Sequence, residues 1–147
     1  MTQKILVPTD GSKQAEAAGE NAITTAGLGD EIIVLYVIDT DYLDALPQYD
    51  LREQLEKNLR EEGKKAVEKF KQRIEDAKCE GYCKDVTLTA KIKEGKPADV
   101  ILKTIDEEGV DQVVMGKSGK HGIEKFFIGS VADKVVRGAN VPVNIIS

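Results

Sequence analysis

The stretch Gly116-Lys117-Ser118-Gly119-Lys120-His121-Gly122, followed by Gly129-Ser130, holds the residues of this chain best suited to chemistry. Glycines let the backbone come close to a phosphate and turn successive N–H groups toward it, and a helix opening near Ser130 adds the partial positive charge of its N-terminus. The ligand that suits such a loop is an anion. Gly116-Lys117-Ser118 imitates the end of a Walker A loop, but that motif needs a further glycine where this chain has Asp111. A dinucleotide fingerprint G-x-G-x-x-G is missing as well, because Gly116, Gly119 and Gly122 are spaced G-x-x-G-x-x-G, which disfavours NAD. What the chain does carry is G-x2-G-x9-G-S, met by Gly116, Gly119, Gly129 and Ser130. With ordinary glycine and hydroxyl usage, a chain of this length shows that spacing by chance on the order of once in a hundred.

Other polar residues have plainer readings beside the chemical one. Ser130 followed by Asp133 is a helix capping box as well as a phosphate contact, and Asp10 or Ser12 can cap the first helix. His121 is the one histidine, so a Ser-His-Asp triad or a histidine metal cluster would have to be built on it, inside a glycine loop that preorganises it poorly. No residue stands out as a base for activating water, so catalysis is not the expectation beyond slow hydrolysis. Cys79 and Cys83 match neither a C-x-x-C redox motif nor a zinc knuckle and read as two ordinary thiols near a helix end, with a disulfide as the alternative.

The elements that must position the loop follow from hydrophobic periodicity. Lys4 to Pro8, Glu31 to Ile38, Val86 to Ile92, Asp111 to Met115 and Pro142 to Ile146 are short β-branched runs bounded by Gly, Pro, Asp or Asn. Four are nearly continuously apolar, as parallel strands covered on both faces are, while Val86 to Ile92 alternates and is expected to be more exposed. Helical stripes lie between them: Ala15, Ala18, Ala22 and Ala26; then Leu51, Leu55, Leu59, Ala66, Phe70, Ile74 and Ala77; then a helix opening at Pro97 with Ile101 and Ile105; then one opening near Ser130 with Val131 and Val135. The β-α-β alternation predicts an α/β, doubly wound, mainly parallel sheet with helices on both faces. Ligands of such folds gather beyond the carboxyl ends of the strands at the switch point. That selects three loops: Thr9 to Ser12, Asp39 to Asp50 and Gly116 to Gly129. Asp39 to Asp50 is rich in Tyr42, Leu43, Leu46, Pro47 and Tyr49, and is read either as a lid or partner surface or as a loop tucked on the sheet.

The 147 residues fit one domain, 1–147, without linker or repeat. A formal charge of −5, with basic side chains interspersed among acidic ones, gives no support for nucleic-acid binding. No apolar run approaches the roughly 18 residues that span a bilayer, and Met1 to Lys4 lead straight into a strand, so no membrane association and a cytoplasmic location are expected. The last strand opens at Pro142 and reads as an exposed apolar edge, which a symmetric dimer would cover.

The glycine spacing, together with Ile5-Leu6-Val7-Pro8-Thr9-Asp10-Gly11-Ser12, Leu35-Tyr36-Val37-Ile38-Asp39, Gly95-Lys96-Pro97-Ala98 and Val141-Pro142-Val143, resembles the universal stress protein family over essentially the whole chain. The resemblance implies strand order 3-2-1-4-5 and ATP bound at the carboxyl ends of strands one and four, with Mg²⁺ held by Asp10 or the phosphates. It places Pro8, Thr9 and Asp10 on the adenosine and backbone groups of Val37 on the adenine. Met115 and Gly116 then flank the ribose and first phosphate, Gly119 leaves room for the phosphates, and Gly129, Ser130, Val131 and Ala132 donate to them. The resemblance also implies a homodimer joined through the last strand, Val141, Pro142, Val143, Asn144 and Ile145, and a stress-response regulator with an unidentified protein partner. One departure stands out: the family often has a small hydroxyl residue followed by Arg or His between the first two glycines, and here Lys117 and Ser118 fill those places. Lys117, Lys120, Lys125 and His121 are the cations in reach of the phosphates, and spacing does not choose among them. Two rivals stand beside this expectation. One is a nucleotidyl-transfer or ATP-pyrophosphatase enzyme, whose H-x-G-H or S-G-G-x-D-S stretches are missing; the other is a dimeric interaction module without nucleotide.

Overall fold

A computed structural model describes residues 2–83, 85–118 and 128–147. The chain runs β1 (Lys4–Thr9), α1 (Lys13–Thr25), β2 (Glu31–Asp39), α2 (Thr40–Asp44), α3 (Tyr49–Cys79), β3 (Thr87–Gly95), α4 (Pro97–Glu108), β4 (Gln112–Gly116), α5 (Ser130–Gly138) and β5 (Val143–Ile146). The strands form one sheet in the order β3-β2-β1-β4-β5, every neighbouring pair parallel. Strand order and strand positions match the sequence expectation.

Continuous apolar runs are needed because both faces of the sheet are covered. Leu6, Ile33, Leu35, Val113 and Met115 point to the side packed by Ile101 and Ile105 of α4 and Val135 of α5. Their neighbours Ile5, Val7, Ile32 and Val114 point the other way, onto Ala18 and Ala22 of α1 and Ile74 and Ala77 of α3. The small side chains of α1 let that helix lie close to the sheet. β3 pairs on one side only and is partly exposed along its length, as its alternation predicts.

The expectation of a loop from Asp39 to Asp50 needs correction. Asp39 Oδ1 accepts a hydrogen bond from the Asp41 N–H at 2.9 Å and caps α2, and α3 already starts at Tyr49. Short polar caps stop strands and start helices in one step, and the propensity reading missed it. Leu43 tucks against Tyr36 and Ile38, whereas Tyr42 and Tyr49 stay in solvent.

The two thiols behave differently. Cys79 is exposed at the end of α3, while Cys83 is buried, its Sγ donating to the Ile23 carbonyl at 3.3 Å, and burial pushes that thiol above its ordinary range. Because the thiolate is the nucleophile, iodoacetamide at neutral pH is expected to modify Cys79 alone in the folded protein and both cysteines in denaturant. Equal rates in the native state would contradict the burial, and failure of both to react after denaturation without reductant would reveal a disulfide.

Candidate functional site

From β1 the chain adds β2 and β3 on one side, then crosses back through α4 to add β4 and β5 on the other, so the switch point lies between β1 and β4. Leu6 pairs with Val113, which sets Pro8 level with Met115 two residues on. On the other flank Thr9 pairs with Tyr36, so Asp10 comes level with Val37. Residues far apart in sequence thus meet at one end of the sheet: Pro8 and Met115 buried, Thr9, Asp10, Val37 and Gly116 half-buried.

The turn after β1 is shaped by its own side chains. Thr9 Oγ1 accepts from the Gly11 N–H at 3.1 Å, and Asp10 Oδ1 accepts from the Ser12 N–H at 2.9 Å. Ser12 is the cap of α1, its Oγ accepting from the Ala15 N–H, so of the two capping candidates it is Ser12 that caps. Asp10 instead holds the turn that carries it.

Across the crevice, the Lys117 N–H donates to the Ile146 carbonyl at 3.0 Å and the Gly129 N–H to the Lys117 carbonyl at 2.8 Å. The second bond pins the two ends of the glycine segment together, bringing Lys117 and Ser118 beside the start of α5. A Cβ on Gly129 would stand 3.2 Å from Ser118 Cα, so this closure is tight. Gly116 is tighter still: its Cβ would lie 2.9 Å from the backbone carbon of Gln14, in the first turn of α1. No local pattern signals that contact, which makes Gly116 a packing residue as well as a candidate phosphate contact.

The capping-box reading of Ser130 and Asp133 does not hold. Gly129 is the cap, without a side-chain bond, Ser130 is the first helical residue, and Asp133 pairs with Arg137 at 3.1 Å. Ser130, Val131 and Ala132 therefore occupy the first turn, whose N–H groups have no carbonyl partner within the helix. Gly119, Lys120, His121 and Lys125 lie outside the described residues. Lys93 is a neighbour that sequence reading overlooked. It pairs in register with Val37, and its Nζ is 2.9 Å from Thr104 Oγ1; the alternation of β3 was the available signal. No cluster of His, Cys, Asp or Glu able to hold a metal occurs among the described residues.

Glycines, a helix start and a turn shaped by Thr9 and Asp10 thus stand together near the carboxyl ends of β1 and β4, where doubly wound folds hold their ligands. The fold is a doubly wound α/β domain with its strand switch point between β1 and β4.

Comparison with known proteins is consistent with that class. The profile of the universal stress protein family matches residues 1–147, and the chain belongs to this family. Universal stress protein MJ0531 of Methanocaldococcus jannaschii is 34% identical over 145 residues, covering 98% of this chain and 81% of that protein. Protein MJ0577 of the same organism has a solved structure that superposes with a TM-score of 0.85 at 32% identity, covering 98% of this chain and 94% of the other. Two more distant structures share the fold at 19% identity: a universal stress protein in complex with cAMP (TM-score 0.63, covering 98% and 95%) and one from Arabidopsis thaliana with AMP bound (TM-score 0.68, covering 98% and 90%).

Proposed function

We propose that this protein, as a single functional domain of residues 1–147, binds ATP in the crevice between β1 and β4 and acts as a nucleotide-dependent regulator. The observation that carries the reading is the Gly129 to Lys117 hydrogen bond. It holds both ends of the G-x2-G-x9-G-S segment beside the first turn of α5, whose backbone N–H groups have no carbonyl partner within the helix. The adenosine would rest on Pro8, Thr9, Asp10 and Val37, and the ribose and phosphates on Met115, Gly116, Lys117, Gly119, Gly129, Ser130, Val131 and Ala132. That the fold accommodates adenine nucleotides in the cAMP and AMP complexes supports the choice of base.

A Mg²⁺ accompanying the nucleotide would be held by Asp10 or by the phosphates and would neutralise charge. The chain's own contribution is to bind and orient, and hydrolysis, if it occurs, is slow. The protein would work as a cytoplasmic homodimer. β5 is an edge strand, with Val143 and Ile145 half-buried and Asn144 exposed, and pairing Val141 to Ile145 with a second copy would cover that edge. No helix among the described residues is long and apolar enough to cross a membrane.

The test is to release and identify nucleotide that copurifies with the protein, then titrate ATP against the wild type and Gly119→Val. Binding by the wild type and its loss in a variant with unchanged circular dichroism is the expected result. Absence of copurified nucleotide and of ATP binding by the wild type would overturn the reading and leave an interaction module.

A further inference from the structure

The formal charge of the chain is −5, and it is not spread evenly. Between residues 39 and 56, six carboxylates (Asp39, Asp41, Asp44, Asp50, Glu53 and Glu56) stand against the single guanidinium of Arg52, a surplus of five. The other residues of the chain are therefore balanced, and the net negative charge resides at one end of the fold, on α2 and the first turns of α3.

The same segment carries exposed apolar surface. Tyr42 is 48%, Tyr49 71% and Leu51 51% exposed. On α3 the stripe Leu51, Leu55, Leu59 repeats every fourth residue; Leu55 and Leu59 pack against Tyr36, Ile38 and Leu43, but Leu51 overruns that cover. Every residue from Tyr49 to Gln54 is exposed, so the helix start stands clear of the core. The Arg52 to Asp44 ion pair at 3.0 Å ties it to α2, so two short apolar-bearing elements present one acidic surface.

We propose that this surface docks a cationic amphipathic segment of a partner protein, its apolar side chains on Tyr42 and Leu51 and its lysines or arginines on Asp41 and Asp50. Charge selects this occupant. A second copy of the chain would bring the same five surplus negative charges, and nucleic acid and anionic lipid are repelled for the same reason. The apolar side chains supply anchors of the kind that dominate interface energies. The inference does not rest on nucleotide binding.

The probe is a fluorescein-labelled 14-residue amphipathic peptide of leucine and lysine, titrated against the whole protein by anisotropy. Its affinity is expected to fall about tenfold in Tyr42→Ser with Leu51→Ser, about tenfold in Asp41→Asn with Asp50→Asn, and about tenfold between 50 and 300 mM salt. All four positions are exposed, so the variants are expected to fold, and circular dichroism checks it. Amide NMR shifts are expected to be confined to residues 40–56. Equal loss on neutralising Glu68 and Glu75 farther along α3, equal binding of a leucine and glutamate peptide, or wild-type affinity in both double variants would overturn the proposal.

Discussion

Replacing Gly116 by alanine is expected to lower the free energy of unfolding by about 2 kcal/mol, the middle of the range for inserting a carbon into a closely packed site. The added Cβ would stand 2.9 Å from both the backbone carbon and the Cβ of Gln14, and 3.0 Å from its carbonyl oxygen. A flexible side chain could swing aside from such a contact, but the first turn of α1 is backbone held by the Ser12 cap and cannot. Urea unfolding with an unchanged slope would report the loss as a lower midpoint, and at about 3 °C per kcal/mol the melting temperature would fall by about 6 °C. The variant also separates two roles of one glycine. If stability is unchanged while ATP binding disappears, α1 yields and Gly116 serves the phosphates only; if both fall together, the contact between β4 and α1 sets the shape of the crevice.

A second large effect is the stabilisation of the wild type by ATP. A ligand that binds only the folded state, present at a hundred times its dissociation constant, adds about 2.7 kcal/mol. For a domain of this size that raises the melting temperature by about 8 °C. Gly119→Val is expected to abolish the rise without moving the ligand-free midpoint by a comparable amount. Asp10→Ala is a useful companion, since its Oδ1 accepts from the Ser12 N–H and shapes the turn after β1; a reduced rise is expected there. A wild type whose melting is indifferent to millimolar ATP would contradict the nucleotide reading, while leaving the peptide-docking surface on α2 and α3 to be judged by its own titration.

These two experiments bear on what each level of description could supply. The strands were legible because both faces of the sheet are buried, so runs such as Ile32-Ile33-Val34-Leu35 must be apolar at every position. The doubly wound class followed from the β-α-β alternation, the strand order that locates the switch point came with the family resemblance, and the glycine spacing marked which loop to inspect. Pro97 at the start of α4 was equally readable, because its fixed φ and missing N–H suit a first turn.

Other features were invisible in one dimension because they depend on what lies opposite. Ser130 and Asp133 have capping-box spacing, yet the bond from the Gly129 N–H to Lys117 makes Gly129 the cap and shifts Ser130 into the helix. Asp39 to Asp50 looked like a loop because its stripe is short and the acid that caps α2 is also the last residue of β2. Residue type and period alone specified the class of fold and the succession of its elements, because burial is written in both. Only the tertiary structure decided that Gly116 presses on Gln14, that Val37 has Lys93 beside it and that α3 carries Leu51 beyond its cover, because each of those facts is a distance between segments that no local pattern encodes.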